Sequence, residues 1–298
     1  MKQRTEPDTR IFAILARQSS LATIFRRGPH DHVQLILWDR RNDTFQPGQW
    51  FRGRIYERRC DLSPSGKYLI YFATNFNPEA NRDNYYAWTA VSKTPYLSAL
   101  LLWPKKSTWG GGGLFREEKE ILLNHNEIEM QLGTRWLKPK SITVRQIAPW
   151  AGGGEDNPIL EERLSRDGWK LVQPSNDYET VENMQIPFET PITIAKPIPI
   201  SSTVKYSLEW IWLGMKELNG PWWVTQFIVR NENGKSVLNL GRCDWADVDL
   251  NGDVLFADSG KLFRLGKGQF DLEAAKELID LRNSKFERIT VPAEAQRW

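Results

Sequence analysis

Short apolar runs separated by turn residues recur along most of the chain. Ile11–Ala16, Leu21–Phe25 and Val33–Trp38 follow one another near the start. Val33–Trp38 is rich in β-formers, and Gly28-Pro29-His30-Asp31 punctuates the chain just before it. The segment Cys60–Ala73 has a short apolar start, a Ser63-Pro64-Ser65-Gly66 turn and the strongly apolar run Tyr68–Ala73. Further on, Tyr206–Leu213, Trp222–Arg230, Val237–Leu240, Trp245–Leu250, Val254–Ala257 and Leu262–Leu265 read as successive strands. Asn251-Gly252, between alternating segments, predicts a type I′ hairpin in which both central residues take positive φ. In that pairing Val248, Leu250, Val254 and Phe256 share a core-facing side. Runs of this length and spacing predict an all-β sandwich, barrel or propeller.

Three stretches depart from the pattern. Residues 173–200 hold Pro174, Pro187, Pro191, Pro197 and Pro199, and proline cannot donate to a ladder, so a loop or edge crossing is expected there. Leu160–Leu164 suggests one helical turn. Asp271–Leu281 predicts a short C-terminal helix, with Asp271 as N-cap and Leu272, Ala275 and Ile279 as its apolar stripe. A last strand is expected at Phe286–Val291. Residues 1–9 read as a flexible N-terminus and 10–298 as one domain.

Asp61-Leu62-Ser63-Pro64-Ser65-Gly66-Lys67-Tyr68-Leu69-Ile70-Tyr71 resembles the Ser-Pro-Asp-Gly-Lys turn of WD-repeat-like and TolB-type β-propeller blades, where it joins the second and third strands. Trp245–Ala257 looks like a degenerate copy, and Val33–Asp39 is similar to the Trp-Asp strand end of such repeats. Trp109 and Trp150, each followed by a glycine run, lie 41 positions apart, which is one blade length. The resemblance covers about two blades and implies a single β-propeller of about five or six four-stranded blades. Residues 104–200 match it poorly.

Composition narrows the function classes. Hydrophobic residues make up 40% of the chain and charged residues 26%, enough for a core and unlike a disordered chain. The fourteen Trp are expected mainly as packing between sheets. A net charge of +3 does not imply nucleic acid. Residues 1–60 nevertheless carry twelve Lys/Arg against six Asp/Glu, with Arg52, Arg54, Arg58 and Arg59 near Trp50, Phe51 and Tyr56. Such a basic-aromatic surface can bind phosphates or stacked bases, although alternating Arg on a strand ordinarily faces water. Two cysteines, Cys60 and Cys243, make neither a disulfide framework nor a metal-ligand spacing. With no apolar run long enough to span a membrane, a cytoplasmic protein is expected.

Candidate chemistry is sparse. Asp247, Asp249, Asn251, Asp253 and Asp258 fit the spacing of a calcium loop with Gly252 at its sixth position. A paired hairpin would splay the same carboxylates along a strand, and no metal is predicted. His30-Asp31-His32 offers two imidazoles and a carboxylate, with His125 distant in sequence; a structural pair is the expectation. The glycine runs 110–113 and 152–154 could present N–H groups to an anion, but neither is followed by the Gly-Lys-Ser/Thr of a P-loop, and flexible rim loops or close strand approach are expected instead. No Gly-x-Ser-x-Gly elbow is present. No catalytic residue and no cofactor is predicted. The expected function is a non-catalytic platform that binds another protein or a ligand. The alternative is a carbohydrate-binding or glycosidase-type propeller, for which the Trp content and plentiful carboxylates speak.

Overall fold

The computed structural model describes residues 9–28, 32–77, 85–174, 188–200, 205–215 and 222–298. Most of the expected N-terminal tail, His30 and Asp31, and Pro187 lie outside these residues. The chain is all-β and divides into two compact units, residues 1–163 with 283–298, and residues 164–282. No helix of the described residues is long and apolar enough to cross a membrane.

Unit 1 holds three sheets. The first is the meander β1 (Arg10–Leu15), β2 (Leu21–Arg27), β3 (His32–Asp39) and β4 (Thr44–Arg52). Its central strands β2 and β3 are buried on both faces, hence their near-continuous apolar runs. Pro47 lies on the edge strand β4, where a missing N–H costs no ladder bond. In the second sheet, β5 (Arg54–Ile55) and β6 (Asp61–Leu62) both pair with β7 (Tyr68–Thr74), followed by β8 (Ala87–Lys93) and β9 (Leu101–Lys105). The third has β10 (Gly113–Glu117) antiparallel to β11 (Glu120–Leu123), and β12 (Thr143–Gln146) parallel to β11. After β11 the chain makes a single 3-10 turn, Ile128–Met130.

The run that begins at Tyr68 organises this unit. Side chains alternate across a strand, so Leu69, Tyr71 and Ala73 join Ile14, Phe25, Val33 and Leu35 in one core. Ile70 joins Trp103, Phe115, Ile121 and Leu123 in another. The Ser63–Gly66 turn forms as expected, with Gly66 N donating to Ser63 O and Ser63 N to Tyr68 O, both at 2.8 Å. Glu118 clamps it from outside by accepting from Ser65 N at 3.0 Å and Ser65 Oγ at 2.7 Å.

Unit 2 holds two sheets. One is β13 (Lys170–Gln173), β14 (Ile192–Ile198), β15 (Tyr206–Met215), β16 (Trp223–Asn231) and β17 (Ser236–Gly241). The other is β18 (Trp245–Val248), β19 (Val254–Asp258), β20 (Lys261–Leu265) and β21 (Lys276–Asp280). Trp169, Trp210 and Trp212 are buried, and the Trp210 ring stacks on Phe227 at 5.4 Å, so these tryptophans are packing groups.

The structure overturns four expectations. The C-terminal helix over Asp271–Leu281 is absent; Asp271 caps only a 3-10 turn, Leu272–Ala274, by accepting from Glu273 N, and Lys276–Asp280 is the edge strand β21. Pairing with β20 outweighs the helical propensity of that segment. The α-helix lies instead at α1 (Asn157–Arg166), around the turn expected at Leu160–Leu164. The proline-bearing segment contributes the interior strand β14; Pro197 is tolerated because β13 reaches only to Ala195, so Pro197 has a ladder partner on one side alone. The Asn251-Gly252 hairpin exists, but only Gly252 has positive φ and the loop spans Leu250–Gly252, leaving Leu250 64% exposed. Two successive positive φ values occur in the next turn, Ser259-Gly260. No strand forms at Phe286–Val291.

Candidate functional site: a double glycine clasp under two exposed tryptophans

The two glycine runs meet in unit 1. Gly110, Gly111 and Gly112 have φ of 68°, 86° and 83°, a run of left-handed residues that only glycine adopts readily. Their amides are spent internally: Gly110 N donates to Gly154 O at 2.7 Å, Gly111 N to Asn124 O at 2.7 Å and Gly112 N to Thr89 Oγ1 at 2.9 Å. Asn124, at the end of β11, closes the clasp. Its Oδ1 accepts from Gly152 N at 2.8 Å and its Nδ2 donates to Gly153 O at 2.9 Å. A methyl group at Gly110 would stand 2.4 Å from Gly152 O, so the backbones approach too closely for any side chain.

The floor beneath is polar and sealed. Arg59 is buried, donating from Nη1 to Thr108 O at 2.6 Å and Gly110 O at 3.0 Å and from Nε to Asp156 at 2.8 Å. His125 is fully buried, with Nδ1 2.9 Å from Glu129 O and Nε2 2.7 Å from Thr89 Oγ1. A carbonyl only accepts, so Nδ1 carries the proton and Nε2 accepts from the Thr89 hydroxyl. Burial pushes the His125 pKa down to about 4; the bond to Glu129 opposes this and the Lys105 charge adds to it. Lys105, itself lowered by burial, forms an ion pair with Glu129.

Chemically, the clasp is a scaffold. The run 110–112 offers no free N–H to an anion, because each amide already has an acceptor. The Thr89–His125 pair resembles a base-activated hydroxyl, but both residues are fully buried and no substrate can reach them. What the clasp presents to water is Trp109, 59% exposed, and Trp150, 58% exposed. Trp109 Nε1 lies 4.0 Å from where a side chain on Gly153 would begin, so the Trp109 indole sits at the lip of the loop that follows Trp150. Exposed Glu155 follows the second glycine run, and exposed Asn126 sets its backbone against Gly152.

The other candidates resolve differently. Asp247 Oδ1 is 2.7 Å from Lys196 Nζ. Asp249 and Asp253 share Arg264 Nη1 at 3.0 and 2.6 Å, Asn251 Nδ2 donates to Asp253, and Asp258 is exposed on the far strand of the hairpin. An internal guanidinium thus occupies the space between the two carboxylates. Among the described residues no group of three or more His, Cys, Asp or Glu gathers to hold a metal. His32 opens β3; its two expected companions are not described. The four arginines do not form one surface: Arg52 and Arg54 are exposed, with Arg54 4.4 Å from the Tyr56 ring centre, whereas Arg59 is in the clasp floor and burial lowers Arg58 to about 10.

Sequence reasoning found both glycine runs and both tryptophans, but not Asn124, Thr89 or His125 as their supports. An Asn directly after an apolar strand was the available signal, and nothing in local spacing links it to Gly152. No family model, no curated protein and no solved structure matches this chain.

Proposed function

We propose that this chain is a non-catalytic binding platform of β-propeller type, whose contact face for a protein partner is the rim carrying Trp109 and Trp150. One observation carries this: two indoles, each more than half exposed, are held on a glycine clasp whose polar groups are committed internally. Tryptophan is enriched among the anchors of protein interfaces, and a pre-organised support lowers the entropy lost on binding. The propeller reading is supported by five sheets that follow one another in chain order, each drawn from one continuous stretch.

Capture from native cells with the full chain and with the W109A/W150A variant tests the reading. A partner held by the wild type should bind the variant at least about thirty-fold more weakly, as for loss of an interface anchor. Identical recovery from both proteins would remove the rim as the contact face. A second reading has its own support. Exposed indoles on loops adjoined by the exposed residues Glu155 and Asn126 also suit a sugar ring. Binding of neutral oligosaccharides on an array, lost in W109A and without a recoverable partner, would replace the first reading.

A further inference from the structure

A second cluster in unit 1 is independent of the Trp109/Trp150 rim. Tyr68 opens β7 and stands directly opposite Lys93 at the end of β8. Lys67, the residue before it, is exposed and places its Nζ 5.3 Å from the Tyr68 ring centre. The chain returns here after unit 2. Ala295 is buried, and Gln296 Nε2 donates to Val291 O at 2.9 Å, which fixes the turn. Lys93 Nζ donates to Glu294 O at 2.5 Å. Arg297 follows, exposed, and Trp298 sets its ring 5.2 Å from Tyr68 at 42° while its residue stays 36% exposed.

Lys67 thus lies over the Tyr68 ring, Lys93 stands opposite Tyr68, and Arg297, next to Trp298 in sequence, acts electrostatically on Lys93, with the Glu294 carboxylate as the opposing charge. Burial lowers the Lys93 ammonium first, and Lys67 lowers it further. Glu294 opposes them and Arg297 adds to the lowering. The cations thus work against one another, a cost that an incoming anion would relieve. The partly exposed Trp298 ring adds a stacking surface near that charge, and stacked rings with adjacent cations form the recognition chemistry of a base joined to a phosphate.

We propose that Lys67, Lys93, Arg297 and Trp298 form a binding site for a nucleotide, its base stacked on Trp298 and its phosphate held by the three cations. The same chemistry is offered by a free mononucleotide and by a nucleotide within single-stranded RNA. Net charge of the whole chain hides this site, since the excess is local.

The test titrates the full chain with adenosine monophosphate, with single-stranded oligoadenylate and with inorganic phosphate, at low and at physiological salt. Saturable binding of either adenylate is expected, weakening as salt rises. It should drop roughly tenfold in W298A, the loss of one stacked base, and disappear in K67E/R297E. Both changed charges are exposed, so an unchanged melting temperature separates lost binding from lost folding. Binding of mononucleotide assigns a free ligand; binding of oligoadenylate alone assigns RNA; both support the site. Failure of both adenylates to bind, persistence of binding in K67E/R297E, or inorganic phosphate competing equally with no effect of W298A would overturn it. None of these outcomes depends on Trp109 or Trp150.

Discussion

Asn124 and Gly152 are bonded through the Asn124 side chain, 2.8 Å from Oδ1 to the Gly152 amide, across 28 positions of sequence. The same carboxamide holds Gly153 O. Replacing Asn124 with Ala leaves a donor and an acceptor without their partner in a closely packed site. Each such loss costs about 1–3 kcal/mol, so N124A should destabilise unit 1 by about 2–4 kcal/mol. Thermal denaturation checks this. A melting temperature unchanged in N124A would mean that the clasp does not depend on the carboxamide.

Two glycines of the clasp should respond in opposite ways. Gly110 has positive φ and would place a methyl group 2.4 Å from Gly152 O, whereas Gly153 has ordinary φ and its nearest neighbours would be 3.9 and 4.0 Å away. G110A is expected to cost about 2–4 kcal/mol from backbone strain and overpacking. G153A should fall within about 0.5 kcal/mol of wild type. Urea titration of the two variants side by side measures the contrast, and equal midpoints would contradict the close approach.

His125 sets a pH dependence. Its folded pKa is depressed to about 4 from 6.5, so the unfolded chain binds the extra proton first. Its contribution to stability is complete above pH 6.5 and is lost as pH falls through about 4. Unfolding free energy should therefore rise with pH across that window. H125N should show a flatter profile there than wild type. Equal slopes in the two proteins would assign the dependence to other groups.

Arg264 between Asp249 and Asp253 makes a metal prediction. With the guanidinium bonded to both carboxylates, added calcium or a chelator should leave the melting temperature unchanged. Truncating Arg264 to Ala should destabilise unit 2 by about 3–5 kcal/mol, because two buried carboxylates then face each other without their cation. A calcium-dependent shift in the wild-type protein would show that the ion displaces Arg264.

Much of the fold was legible because strands announce themselves by local period. The Ser63–Gly66 turn, the β18–β19 hairpin and the buried run of β7 all follow from spacing and turn chemistry. The segment Asp271–Leu281 misled because Leu272, Ala275 and Ile279 match a helical stripe, while what decides the outcome is the open edge of β20, a neighbour that spacing does not reveal. Pro197 misled likewise, since its place depends on where β13 stops. The glycine runs were visible as a pair, and their separation suggested a repeat length. Their bonds to each other through Asn124 are tertiary, and no local pattern encodes them.

Unit 1 draws its chain from both sides of unit 2, residues 1–163 and then 283–298. During synthesis the first 163 residues leave the ribosome long before the segment that seats Trp298 on Tyr68 and Phe286 on Trp50. The earlier strands must wait with those rings uncovered while about 120 further residues are translated, several seconds at ordinary elongation rates. The molecule's vulnerable interval, for aggregation or for capture by a chaperone, is therefore set by the length of unit 2.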